Sequence, residues 1–272
     1  MKNMKTLYAL IVGVLALAVV ACDPIEDRGS MPGSLSKQDL TYSVTQDPSN
    51  PNSIYLKSST PGVIPFWDYA VGTSKQANDT VFIPFLGDFW IKYYAYNGGV
   101  PTVDSVMLSL PENQDYFSDP VWEALAKRSE GKTWVLNMDH PLAYYGMDFG
   151  KGSGDDWSWL PDLKGNEWIM DNKDWGNMTF SLKGGYKYSR TMYDANGNPQ
   201  TTNGTFSFDK TANQVTLKGA ELLYGGTFYN LVSNWQKMRV FTMTDDELSL
   251  GVVRDQSPEG LCYLAFRFKP KE

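Results

Sequence analysis

Between residues 144 and 175 the chain sets Tyr144, Tyr145, Trp157, Trp159, Trp168 and Trp175 among Asp148, Asp155, Asp156, Asp162, Asp171, Asn172 and Asp174. Flat aromatic rings offer a surface on which the C–H face of a pyranose can lie, and carboxylates and amides accept from and donate to its hydroxyls. Gly150, Gly152 and Gly154 make the stretch loop-like. It is too polar for a core strand and too aromatic for a plain linker. Trp157 and Trp159 are two apart, so on an extended segment both point one way; they are the first choice for a carbohydrate platform. Trp168, Trp175, Tyr144 and Tyr145 are further candidate sugar contacts, with Asp155 and Asp156 as candidate hydroxyl-binding carboxylates. An Ω-type loop folded over its own indoles has the same composition.

Other chemistries find less support, and no residue is assigned a catalytic or metal-binding role. A glycosidase needs two carboxylates about 5–10 Å apart across a cleft. Asp245, Asp246 and Glu247 are neighbours in a turn and point different ways. Asp155 with Glu167 or with Asp174 stays open as a pair, which keeps glycoside hydrolysis as a minor alternative. His140 is the only histidine, which disfavours Ser-His-Asp and His-rich metal chemistry. No cofactor is implied. Calcium is the one ion with a candidate site, at Asp155–Asp156 or at Asp194-x-Asn196-x-Asn198. A full calcium loop wants Glu at its twelfth position; here Thr205 stands there, and Asn196-Gly197 reads better as a hairpin tip. The net charge of −7 argues against a nucleic-acid partner.

The chain start addresses location. Lys2 and Lys5 precede an apolar run from Leu7 to Val20, closed by Val19-Val20-Ala21-Cys22. A small residue before cysteine after such a run is a bacterial lipoprotein signal: residues 1–21 are removed and Cys22 carries the lipid. The run is shorter than the ~20 residues a spanning helix needs. Residues 22–36 form a polar linker. With Cys22 lipidated, Cys262 has no partner; its apolar surroundings, Leu261 to Phe266, predict a buried, inert thiol.

The elements that would position the aromatic stretch are β-strands. Short alternating segments occur at 40–44, 53–56, 80–85, 89–96 and 103–110, broken by turn residues, and suggest a sandwich over 37–111. Residues 112–131 form a junction, with a short helix over Pro120–Ala126 whose Trp122 and Leu125 share a face. A second β region spans 132–272. Its strands are expected near 131–137, 178–182, 186–193, 201–208, 214–217, 239–243, 247–253 and 261–269. About seven or eight strands suit an antiparallel sandwich, a jelly roll or a lipocalin-like barrel. The fold class is all-β. The 9 Trp, 16 Tyr and 13 Phe are many for a secreted domain; some must pack cores, and a surplus is what sugar-stacking surfaces require.

Two resemblances add to this reading. Pro65-Phe66-Trp67-Asp68-Tyr69, Val81 to Ile91 and Ala95-Tyr96-Asn97-Gly98-Gly99 resemble a PKD-like, Ig-like domain, a family of spacers and interaction modules in which Trp67 would be core. Gly131-Lys132-Thr133-Trp134-Val135-Leu136, Met178-Thr179-Phe180-Ser181-Leu182, Gly204-Thr205-Phe206-Ser207-Phe208 and Thr244 to Leu250 resemble surface lipoproteins of Bacteroidota glycan-utilisation systems. There a PKD-like module precedes a β domain, beside an outer-membrane importer pair of the SusC/SusD type. Asp23, Glu26 and Asp27 resemble the signal that exports such lipoproteins to the cell surface. Where that family carries a Gly-His-x-Gly-like segment, this chain has Asp139-His140-Pro141-Leu142-Ala143-Tyr144-Tyr145-Gly146. The resemblance implies an outer-membrane, lipid-anchored, surface-exposed protein. Its partners would be a glycan, a transporter complex and the membrane through its lipid. A structural or protein-binding role in the envelope is the alternative.

Overall fold

A computed structural model describes Gly33 and residues 35–272. The expected signal sequence, Cys22 and most of the linker lie outside the described residues. The chain forms two all-β units joined by one helix.

The first unit is built from β1 (Tyr42–Gln46), β2 (Ser53–Ser58), β3 (Ile64–Asp68), β4 (Thr73–Ser74), β5 (Asn78–Phe82), β6 (Gly87–Tyr96) and β7 (Thr102–Leu110). Two sheets result, with orders β1-β2-β5 and β4-β3-β6-β7. β2, β3 and β6 alternate buried and open positions, so each sheet turns one apolar face inward. Ile54 and Leu56 from one sheet meet Trp67, Ile91 and Tyr93 from the other in one core. Trp67 is fully buried, donates its Nε1 hydrogen to the Gln76 carbonyl at 3.0 Å, and packs 4.5 Å from the Tyr93 ring. Tyr42 closes this core from the rim, stacked 4.7 Å from Tyr93. Burial first, and then the Asp104 carboxylate, push its phenol up to about 12. A phenol whose folded value is raised stabilises the fold fully below its unfolded value near 10 and no longer does so once pH has passed the folded value. The melting temperature is therefore expected to fall between pH 10 and 12. Tyr42→Phe removes that share of the slope, measurable by calorimetric melts alongside phenolate absorbance.

Helix α1 (Pro120–Ala126) follows. Asp119 caps it by accepting from the Val121 amide at 3.0 Å, proline occupies the first turn, and Lys127 ends it at φ 47°. Trp122 and Leu125 are both buried, as their spacing required.

The second unit contains β8 (Lys132–Leu136), β9 (Leu142–Tyr145), β10 (Ser158–Trp159), β11 (Asn177–Ser181), β12 (Lys187–Tyr193), β13 (Pro199–Asp209), β14 (Gln214–Lys218), β15 (Lys237–Met243), β16 (Leu248–Val253) and β17 (Tyr263–Pro270). From β11 to β17 each strand pairs antiparallel with its successor, and β8 pairs with both β11 and β17. The sheet closes as an eight-stranded up-and-down barrel; a sandwich or jelly roll is ruled out, because one sheet returns on itself. Closure leaves no open edge among the eight strands. β17 pairs with β8 through Phe268↔Leu136 and with β9 through Phe266↔Leu142, so β9 continues the line of β8 past a break at Asn137–Pro141. β10 adds to the free edge of β9.

An eight-stranded barrel is just wide enough for side chains to fill. Trp134, Phe180, Phe206, Phe266 and Phe268 occupy the interior and are all buried. At one end, Trp122 of α1 meets Tyr186 and Phe208, and Phe85 of the sandwich meets Tyr186 at 4.9 Å. Gly184 donates its amide to the Leu86 carbonyl at 2.8 Å, and Lys210 pairs with Asp119 at 2.7 Å. The two units thus share one continuous apolar core.

Candidate functional site

The aromatic stretch leaves the barrel after β9 and returns at β11. Tyr144 and Tyr145 are therefore strand residues, and alternation sends them to opposite faces. Tyr145, expected as a sugar contact, is only 5% exposed. It stacks on Phe241 at 4.0 Å and 9° and packs against Phe149 on the barrel's outer wall, so it cannot serve as an open platform.

Residues 146–157 form a tight hairpin onto β10. The Gly146 amide donates to the Trp157 carbonyl at 2.9 Å. Gly150, Gly152 and Gly154 all have positive φ, which only glycine adopts freely. Carboxylates tie the turn together. Asp155 accepts from the Met147 amide at 2.8 Å and from Trp157 Nε1 at 2.5 Å. Asp156 accepts from the Gly150 and Gly152 amides, and Asp148 from the Asp155 amide. Asp155 and Asp156 thus organise the loop that presents the tryptophans.

In β10, Trp159 lies opposite Tyr144, and the two rings stack at 5.6 Å and 25°. Trp168 also stacks on Trp159, at 6.0 Å and 16°. The Arg254 guanidinium lies over Tyr144 at 5.2 Å. The result is a column of one cation and three rings. Its inner faces are taken up by one another. Trp168, at the outer end, is 72% exposed and Trp159 41%. Trp157, two residues before Trp159, is 42% exposed, with its indole nitrogen held by Asp155. Trp168 gets its place from the buried Leu163, Ile169 and Met170 near it in the chain, which anchor this segment to the barrel core.

Trp175 is half-buried; it donates to the Asp171 carbonyl at 3.1 Å and carries Lys173 over its ring at 4.2 Å. It walls a hollow of about 400 Å³ with Asp174 and Lys271. A second hollow, about 450 Å³, shares Met138 and Asn172 with the first and is lined by Asp139, His140, Asp162 and Glu167. The shared residues make the two hollows neighbours, and together they form a groove with several polar side chains in its lining. His140 Nδ1 and Asp162 Oδ1 pair within it at 2.7 Å.

The remaining carboxylates serve local structure. Hydrogen bonding from the Gly165 amide holds the Glu167 carboxyl below its ordinary value, the reverse of what a general acid needs. Asp174 accepts from the Gly176 amide and the Tyr193 hydroxyl. Glu247 accepts two bonds from Arg267. Asp194 receives the Asn196 and Asn198 amides, closing the hairpin between β12 and β13. Among the described residues, no three His, Cys, Asp or Glu side chains cluster as a metal site. Burial pushes the Cys262 thiol up.

Arg254 and the groove around His140 gave no sequence signal, since their partners lie far apart in the chain. The pairing of Trp159 with Trp168 was equally hidden, because a loop has no periodicity to read.

No family model matches the chain, and no curated protein matches it. A lipocalin-like protein from Bacteroides uniformis, known from a crystal structure, is 14% identical. The match covers 51% of this chain and 94% of that one, at a TM-score of 0.25.

Proposed function

We propose that this chain is a lipid-anchored cell-surface protein whose barrel captures a polysaccharide or oligosaccharide for a neighbouring outer-membrane transporter. One observation carries the reading: Trp168, 72% exposed, presents an uncovered indole face at the end of a pre-stacked column. Rings fixed before the ligand arrives lose little freedom on binding, so contact area converts more fully into affinity. The groove lined by Asp139, Asp162, Glu167 and Asn172 offers carboxylates and an amide to further hydroxyls of a longer glycan. The location rests on the signal ending at Cys22. The sandwich serves as a PKD-like spacer, a role supported by its strand order, which is that of Ig-like sandwiches.

The test is affinity electrophoresis against a panel of neutral polysaccharides, followed by calorimetry on any that retard migration. Trp168→Ala is expected to weaken binding about tenfold, or roughly 1.4 kcal/mol, and Trp168→Ala with Trp157→Ala to abolish retardation. Absence of binding to every glycan, or undiminished binding by the double variant, would overturn the proposal. A protein-interaction role is favoured by a different surface. Ile64, Trp90, Tyr96 and Met107 are exposed, and the pairings Ile64↔Tyr96 and Trp90↔Met107 put them on the outer face of the four-stranded sheet. That role calls for a transporter component that co-purifies whether or not glycan is present.

A further inference from the structure

We infer that a hollow in the barrel's outer wall, at β14, β15 and the ends of β16 and β17, is a binding site for an acidic sugar bearing a carboxylate. The site is separate from the tryptophan column. The hollow measures about 310 Å³, the scale of a small-ligand pocket, and includes Lys237, Arg239, Gln214, Asn234, Asp255 and Tyr263 in its lining.

Lys237 and Arg239 are two apart on β15, so both project from the same outward face. In a chain of net charge −7, neither forms an ion pair among the described residues. Arg239 is preorganised. One nitrogen donates to the Phe149 carbonyl at 2.8 Å, and the guanidinium lies 4.9 Å from the Phe241 ring centre and 5.4 Å from that of Tyr263. Its remaining donors form a planar fork suited to a carboxylate. The surrounding groups suit hydroxyls. Asp255 is held in place by the Ser233 amide at 2.8 Å and by the Ser233 hydroxyl, and each of its oxygens can accept again. Asn234 accepts from the Gln236 amide through its side-chain oxygen, leaving its NH₂ group to donate. Tyr263 adds an aromatic wall. Two cations engaged in no ion pair, hydroxyl-binding groups that include the Asp255 carboxylate, and a flat ring in one concavity match a uronate unit.

The test is calorimetry of the full chain with digalacturonate at physiological salt, with its methyl ester and sodium acetate as controls. Binding of the acid is expected to exceed that of the ester. Arg239→Gln is expected to weaken it about tenfold or more. Lys237→Gln, at an exposed position where folding is not at stake, should weaken it up to about fivefold. Trp168→Ala should leave it unchanged, so failure here and failure of the column reading are distinguishable. Four results would each overturn the inference: no binding at millimolar acid, equal binding of the ester, displacement by equimolar acetate, or undiminished binding by both hollow variants. Loss of digalacturonate binding in Trp168→Ala would also overturn it, by moving the ligand to the column.

Discussion

Trp134→Ala is expected to destabilise the protein by about 3–5 kcal/mol, the range for removing a buried tryptophan. The ring is fully buried inside the barrel at the end that receives α1. Its Nε1 donates to the Leu125 carbonyl at 2.9 Å, so the same side chain fills the interior and fastens the helix. Lys132 sits 4.5 Å from the ring and donates to the Ala124 and Asp245 carbonyls, which closes the lower rim. Alanine would leave a cavity beneath α1 and an unpartnered Leu125 carbonyl. For a chain of this size the melting temperature should drop on the order of 10 °C. Trp134→Phe keeps much of the volume and loses the hydrogen bond, so it should cost only about 1–2 kcal/mol. Denaturant unfolding of both variants would check the ranking; equal losses would show that ring volume is not what matters.

Gly146→Ala is expected to dismantle the column while sparing the barrel. A Cβ at this position would stand 2.0 Å from the Asp155 carbonyl oxygen and 2.9 Å from the Trp157 ring. The first obstacle is backbone, which cannot swing aside as a side chain could. The hairpin must therefore part from β9. β10 then loses its register, and Trp159 its seat between Tyr144 and Trp168. Glycan affinity should fall at least tenfold, about 1.4 kcal/mol. The barrel's own transition should move far less than in Trp134→Ala, because β9 still pairs with β17 through Leu142 to Tyr145. Indole near-ultraviolet circular dichroism, which reports the stacked rings, should collapse in the same variant. A signal and affinity like those of the parent chain would show that the hairpin tolerates the side chain and that the column does not depend on it.

Much of the fold was legible because it depends on alternation. Strands such as β6 and β16 and helix α1 were expected close to where they stand, and Trp67 was expected in the core. Strands β3, β4, β9 and β10 were not among those expected. β4 and β10 are two residues each, too short to display a period, while β3 runs through Pro65 and β9 follows a proline break. The closure of β8 on β17 was one of several options, since pairing between the first and last strands of a unit leaves no local mark.

At the candidate site, residue types marked the segment where exposed rings gather but not the place of each member. Asp155 and Asp156 have the chemistry of ligand-binding carboxylates, yet one turn with three positive-φ glycines brings backbone amides to them first. Tyr144 and Tyr145 are adjacent and alike in type. A strand sends one to the column and the other to the outer wall, and neither destination follows from composition.

What this sequence determined alone is the all-β character, the two-unit order, the short helix between them and the concentration of rings in one segment. These follow from short-range causes: two-residue periodicity in strands, three-residue spacing in the helix, and turn chemistry. Only the tertiary structure decided which ring faces remain open to water, because a face is covered by whatever strand or loop arrives beside it. Trp168 is uncovered and Tyr145 is covered because Trp159 lies against one side of Trp168 and Phe241 lies flat against Tyr145.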